Sequence, residues 1–381
     1  MAPSAIESPV VNITEAPPQP KWFVPELLPE SVKERMEKAG IDMTEYPTPP
    51  VVPFYYQEAV TLKGDPWEYN DVAARADKTK SSLLSAATKV TNLTAHIGTE
   101  IEGLQLKDLT DQQRDELALL IAERSVVFFR DQDLSPQKQE ELGKYWGRIE
   151  YHPHVPHVPG VPGASVVWDG LKPGVPRKST YRNPGGTNRW HSDTSHEPQT
   201  PSYTHLHLDA LPSTGGDTVW ASGYAAYDKL SPAFREFIDG KMAVFSSTHT
   251  YIDRNDPYAG PKFIQNIHPV VRVHPVTGWK SLWVNRGYTR RIVGLEPGES
   301  DAILNYLYNV YESNLDIQVR FKWTPRSSAL WDNRITTHNA MWDYEGKEPR
   351  HGTRVMTLGE RPYFDKDAPS RRQALGLDGP E

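Results

Sequence analysis

Two short stretches of this chain carry side chains that could grip one metal ion. In RWHSDTSHEPQTP, His191 and Asp193 stand two residues apart. In extended chain, residues i and i+2 face the same way, so an imidazole and a carboxylate converge. About 145 residues further on, LWDNRITTHNAMWDY supplies a second imidazole, His338. Two histidines and one carboxylate form a facial set of ligands, which leaves other iron positions open for a co-substrate and oxygen. A His-x-Asp pair by itself is also the pattern of a solvated pair in a loop, so the neighbourhood of each ligand has to decide.

The chain has 13 histidines, and most read as structural. His205 and His207 alternate in PSYTHLHLDA, share one face of a strand and could mimic a metal pair; a core role for that strand is the preferred reading. His154, His157, His196, His249, His268, His274 and His351 show no partner pattern. Cysteine is absent, which excludes disulfides, thiolate metal sites and cysteine nucleophiles. Any metal must then be held by imidazole and carboxylate, which narrows the choice to iron, zinc or manganese.

The elements around these residues are readable by period. LTDQQRDELALLIAER has a polar first turn and then apolar residues at helical spacing, an amphipathic helix. SVVFFRDQ reads as a buried strand, and SPQKQEELGKYWG as a helix with Ser135 at the N-cap, Pro136 at N1 and Gly147 past its end. PGESDAILNYLYNVYES is a third helix. Between them recur SVVWD, PSYTHLHLDA, DTVWAS, HPVVRVHP, KSLWVN, SSALWDN and GTRVMTLG, all strand-like. Many short strands and few helices predict an α+β, mainly β, fold: a sandwich or jelly-roll core with helices on one face. Ahead of it, proline-rich residues 1–88 read as an extended arm, whose aromatics (Trp22, Phe23, Phe54, Tyr55, Tyr56, Trp67) favour docking on the domain. The domain proper is read as residues 89–365, followed by a tail, 366–381.

At 381 residues with 37% hydrophobic content, the chain can bury a sizeable core. A net charge of −7 without a basic face argues against a nucleic-acid partner. No apolar run approaches a membrane span and no secretory leader is visible, so a soluble, cytoplasmic protein is expected. Self-association into a homo-oligomer is left open.

Beyond composition, the sequence resembles the TauD/TfdA family, the taurine dioxygenase group, over residues 88 to 363. The resemblance rests on ordered blocks: FFRDQDLSPQKQEELGKYWGRIEYHP, WHSD, LPSTGGDTVWASGYAAYDKLS, HPVVRVHPVTGWKSLWVNRGYTRRIVGL, LWDNRITTHNAMWDY and RVMTLGERPY. The proline-rich arm and general texture look similar to fungal sulfonate dioxygenases of that family. The resemblance implies a double-stranded β-helix (jelly roll), Fe(II) on His191, Asp193 and His338, 2-oxoglutarate as co-substrate, and O2. It implies that Arg350 binds the distal carboxylate of 2-oxoglutarate, assisted by Thr218; a guanidinium offers two parallel donors where lysine cannot. The loop between His338 and Arg350 is one residue longer than in the bacterial taurine enzyme, so Arg350 rests on alignment of RVMTLGERP. Arg354 and His152 fall on positions that bind the substrate's sulfonate.

Two positions depart from the taurine pattern. Val155 stands where the taurine enzyme has a tyrosine, and Thr187 where it has an asparagine. Those residues surround the substrate amine, so this end of the pocket is expected to be less polar and to suit an alkyl sulfonate or another small anion. The Gly- and Pro-rich stretch 159–188 is expected to form part of a lid. The expected reaction hydroxylates the carbon next to the sulfonate, giving sulfite, an aldehyde, succinate and CO2. Two alternatives stand beside it: the same chemistry on an alkyl sulfate or an alkoxy- or aryloxy-carboxylate, and a non-catalytic, metal-binding jelly roll.

Overall fold

The computed structural model describes residues 28–46, 67–152, 155–169, 190–252, 258, 260–344 and 348–377. Its strands in chain order are β1 (Lys89–Asn92), β2 (Thr99–Glu102), β3 (Val126–Phe129), β4 (His157–Val158), β5 (Val161–Asp169), β6 (Pro201–Ala210), β7 (Thr218–Ser222) and β8 (Met242–Ile252). They continue with β9 (Pro261–Pro269), β10 (Val271–Val273), β11 (Lys280–Leu282), β12 (Thr289–Ile292), β13 (Gln318–Phe321), β14 (Ser327–Asp332), β15 (Thr336–Ala340) and β16 (Arg350–Leu358).

Eight strands form one mixed sheet in the order β1-β2-β3-β14-β6-β16-β5-β4, in which β2 and β3 run parallel. A smaller sheet, β13-β7-β15, packs against it. Strand alternation sends Phe128, Leu206, Leu208 and Ala329 of the large sheet inward to meet Trp220, Val319 and Phe321 of the small one. Phe128 and Phe321 stack face to face at 4.0 Å. A third sheet, β12-β8-β9, lies beside these, so the α+β, mainly β expectation holds at the level of sheets and helices.

The opposite face of the large sheet is covered by helices. The helix Pro136–Trp146 starts as the sequence implies: Ser135 Oγ accepts from Lys138 N at 3.2 Å, and Pro136 sits in the first turn. The helix Asp111–Arg124 opens on a capping box between Thr110 and Gln113. It departs from the amphipathic expectation, because every residue from Asp115 to Ala122 is buried. Its polar side is roofed by the turn Val72–Arg75 and the helix Ser81–Ala86, and Glu116 Oε2 accepts from Leu83 N at 2.6 Å beneath that roof.

Within the stretch read as an extended arm, residues 30–38 form a helix, Glu30–Lys38, whose Val32 and Met36 are fully buried against the domain. Trp67 is anchored through its backbone N–H to Gln199 Oε1 at 3.1 Å. Trp22, Phe23, Phe54, Tyr55 and Tyr56 lie outside the described residues.

Candidate active site

His191 enters the site beside His338 as a short antiparallel bridge: each backbone N–H donates to the other's carbonyl, at 3.0 and 2.8 Å. His338 belongs to β15, where it pairs with Trp220 of β7. The His191 and His338 rings lie 4.2 Å apart, with Trp331 5.1 Å from His338 as a wall. Asp193 follows one residue beyond Ser192, whose hydroxyl donates to Thr336 O at 2.6 Å. Asn333 then clamps the Asp193 backbone from both sides, accepting from its N–H at 3.0 Å and donating to its carbonyl at 2.9 Å. One candidate ligand atom from each of His191, Asp193 and His338 lies within 4.8 Å of the other two.

The electrostatics suit a cation. Burial alone would raise the Asp193 carboxyl, yet Arg354, His338 and His191 outweigh it and hold the group well below the usual range, so it is an anion. Burial first, then the neighbouring His191, pushes His338 down to about 3, so it presents a neutral imidazole. Asp193 Oδ2 and His338 Nδ1 are buried with no hydrogen-bond partner. Buried polar atoms are normally satisfied, so two orphans in one three-residue cluster fit imidazole and carboxylate ligands of a metal ion.

Arg350 and Thr218, inferred from separate blocks, meet. Arg350 at the start of β16 is 3% exposed, donates from Nε to Gly216 O at 3.1 Å and from Nη2 to Thr218 Oγ1 at 3.3 Å. Trp323 lies beside the guanidinium and also donates its indole N–H to Thr218 Oγ1 at 3.1 Å. Gly216 has φ +73°, and a Cβ there would sit 3.0 Å from Pro212 Cγ and 3.4 Å from Arg350 Cδ, so glycine leaves room for the arginine stem.

Four residues along β16, Arg354 donates from Nη1 to Asp193 Oδ1 at 2.9 Å, and its buried Nε has no partner. Across the sheet, Arg354 is in register with Ser165 of β5, and Ser165 with His157 of β4. His157 Nε2 in turn donates to the carbonyl oxygen of His152 at 3.0 Å. His152 and Val155 are both half-buried in the loop leading to β4, and Thr187 and His154 lie outside the described residues, as does most of the stretch 159–188.

His205 and His207 do share one face of β6. It is the helix-covered face, where both rings bond Ser328 Oγ at 3.0 Å, away from the triad. Sequence reading missed Asn333, Trp323 and Gly216, whose parts in the site come from contacts that only the fold creates. It also missed Tyr288, whose ring stands edge-on to His191 at 6.4 Å. For Asn333 the signal was present, adjacent to the strand end in LWDNR, but nothing in that block told its clamp on Asp193 from a turn residue.

Comparison with known proteins agrees with this geometry. The family model described as taurine catabolism dioxygenase TauD, TfdA family, matches residues 89–356. The chain belongs to the TauD/TfdA family. It is an Fe(II)- and 2-oxoglutarate-dependent dioxygenase. It is 38% identical over 309 residues to a Saccharomyces cerevisiae alpha-ketoglutarate-dependent sulfonate dioxygenase, covering 78% of this chain and 74% of that one. It is 31% identical over 300 residues to a Pseudomonas putida alpha-ketoglutarate-dependent sulfate ester dioxygenase, covering 74% and 95%. Among solved structures, a taurine dioxygenase from Burkholderia xenovorans superposes with a TM-score of 0.62 at 31% identity, covering 74% of this chain and 92% of that one. The TauD/TfdA chemistry uses Fe(II) and 2-oxoglutarate, and the His191, Asp193 and His338 cluster has the donor set for the metal.

Proposed function

We propose that this TauD/TfdA enzyme hydroxylates a small organosulfonate at the carbon bearing sulfur, with collapse of the product to an aldehyde and sulfite. The observation carrying the reading is Arg354: a guanidinium beside the metal-ligand carboxylate, with an unused donor in a buried setting. Such a group is suited to an anionic head group, because a buried unpaired donor is costly and an anion answers it. The sulfonate dioxygenase relative in yeast favours the same substrate class.

In this reading, the bound iron supplies oxidation through O2 while 2-oxoglutarate is converted to succinate and CO2. The chain's own residues bind and orient. Arg350 takes the distal carboxylate of 2-oxoglutarate with two parallel donors, and Thr218 fixes the guanidinium and adds a hydroxyl. Arg354, with His152, holds the substrate's anionic head, which brings the adjacent carbon toward the triad. By the family resemblance, Val155 and Thr187 stand at the positions that surround the taurine amine, and neither supplies the tyrosine or asparagine found there. The catalytic unit is residues 89–365, its two packed sheets the double-stranded β-helix of the family, with 366–381 as a tail.

A second reading, hydroxylation of an alkyl sulfate, is favoured by the sulfate ester dioxygenase relative, since Arg354 serves either anion. Products separate them: incubation with paired sulfonates and sulfate esters should release sulfite from the former. Release of sulfate alone would replace the sulfonate by the sulfate ester. Asp193→Ala should abolish iron-dependent 2-oxoglutarate turnover; full turnover in that variant would remove the triad assignment.

A further inference from the structure

Arg350 and Arg354 share β16, and the strand paired with it, β6, bulges opposite the stretch between them. Along the β6–β16 ladder the register steps from His351 opposite Ala210 to Gly352 opposite Leu208, skipping Asp209. A bulge re-aims the side chains that flank it. Asp209 is the extra residue, on β6, and the stretch of β16 that faces it runs between Arg350 and Arg354. Gly352 permits the close approach: a Cβ there would lie 2.1 Å from His207 O.

What holds the bulge comes from the segment ahead of the family-matched residues. Arg35, on the helix Glu30–Lys38, donates from Nη1 to both Asp209 oxygens, at 3.1 and 2.9 Å, and from Nη2 to Thr353 Oγ1 at 3.0 Å. Asp209 Oδ2 also meets His351 Nδ1 at 3.2 Å, and the Tyr46 hydroxyl bonds His351 Nε2 at 3.0 Å. Gln139 completes the array, donating to the carbonyls of His205 and Thr353, both at 3.0 Å, and accepting from Thr353 Oγ1 at 2.5 Å. Asp209 and His351 are 2% and 0% exposed, so these contacts are sealed from water. Thr353 and His351 point to the helix side of β16, and Arg350 and Arg354 to the other.

We propose that Arg35 and Tyr46 are positioning residues for the reaction: they lock the β6 bulge at Asp209 against β16 from behind and thereby set how Arg350 and Arg354 face the co-substrate and the substrate. The inference rests on Arg350 holding 2-oxoglutarate, and the test separates the two. Full-length Arg35→Met, Arg35→Lys, Tyr46→Phe and Arg350→Gln proteins are loaded with redox-inert Mn(II) and titrated with 2-oxoglutarate by calorimetry, alongside thermal unfolding. Losing a residue that orients a metal ligand costs a metal site about 10–100-fold; by analogy Arg35→Met, the loss of a residue that orients Arg350 and no metal ligand, should weaken 2-oxoglutarate about tenfold and leave Mn(II) affinity unchanged. Arg35→Lys, which keeps the charge but loses the two-pronged grip on Asp209, should fall between Arg35→Met and the parent.

Should Arg35→Met fail to fold because Asp209 is left unpaired, Arg35→Met/Asp209→Asn and Tyr46→Phe carry the same measurement. A lowered Tm with unchanged 2-oxoglutarate affinity in Arg35→Met and Tyr46→Phe would reduce the segment to a structural strut. If Arg350→Gln itself left the affinity unchanged, the role of Arg350 would fall and the lock with it. If Arg350→Gln weakened binding and neither lock variant did, only the lock would fall.

Discussion

Asp193 is positioned through its backbone more than through its side chain. Asn333 satisfies both its N–H and its carbonyl, which fixes the carboxylate's direction before any metal arrives. Asn333→Ala leaves a buried donor and acceptor without partners, at a cost of about 1–3 kcal/mol. The expected outcome is a lower Tm together with weaker Mn(II) binding, read by calorimetry; weakened stability with intact metal affinity would deny Asn333 an orienting role. On the proposed role of Arg350, Arg350→Gln removes the charge that would meet the distal carboxylate and should weaken 2-oxoglutarate binding by about 2–5 kcal/mol. The His191, Asp193 and His338 cluster was legible from its two blocks, whereas Arg350 and Arg354 were placed by resemblance alone; the structure sets Arg350 against Thr218 and Arg354 against Asp193. Asn333 and Trp323 were not legible, since their work is done on a backbone and on a hydroxyl that only the fold brings near.

At the scale of elements, a buried helix can be told from a site element by what its mutation leaves alone. Leu117, fully buried on the helix Asp111–Arg124, belongs to a core cluster that contains no residue of the site. Leu117→Ala should cost about 2–5 kcal/mol of stability and leave 2-oxoglutarate affinity unchanged. The helices themselves were readable from caps and periodicity: Thr110, Ser135 and Pro136 stand where their types require. The all-round burial of Asp111–Arg124 was not readable, because its covering turn Val72–Arg75 lies in a region whose prolines suggested extended chain. The β8–β9 hairpin also escaped. Ser246, Ser247, Thr248, His249 and Thr250 on one strand and Lys262, Gln265 and Asn266 on the other erase the alternation of a half-buried strand.

For the whole molecule, buried neutral histidines make stability depend on acid. Burial lowers His207 and His268 to about 4 from an ordinary 6.5, and lowers His205 well below it. The unfolded chain therefore binds more protons than the folded one once pH drops below 6.5. Their contribution is complete above that value and is lost as pH falls toward 4, by up to about 1.4 kcal/mol per pH unit for each histidine. Asp209 and Asp332, both depressed despite burial by Arg35 and Arg334, add a further loss below their ordinary 3.8. Thermal unfolding of the metal-free protein should show Tm falling through this window, and His268→Gln should flatten the fall. A Tm constant from pH 7 to 4 would contradict it.

The bridge between His191 and His338 joins points about 145 residues apart in the chain. An ion held by both rings is then a cross-link closing a long loop, and it can form only after that loop has closed. Metal capture is a late event in assembly, and the metal stabilises the assembled chain by mass action rather than guiding it there. Saturation at a hundredfold excess over Kd should add about 2.7 kcal/mol to unfolding. Refolding rates should stay the same with and without Mn(II), the whole gain appearing as slower unfolding.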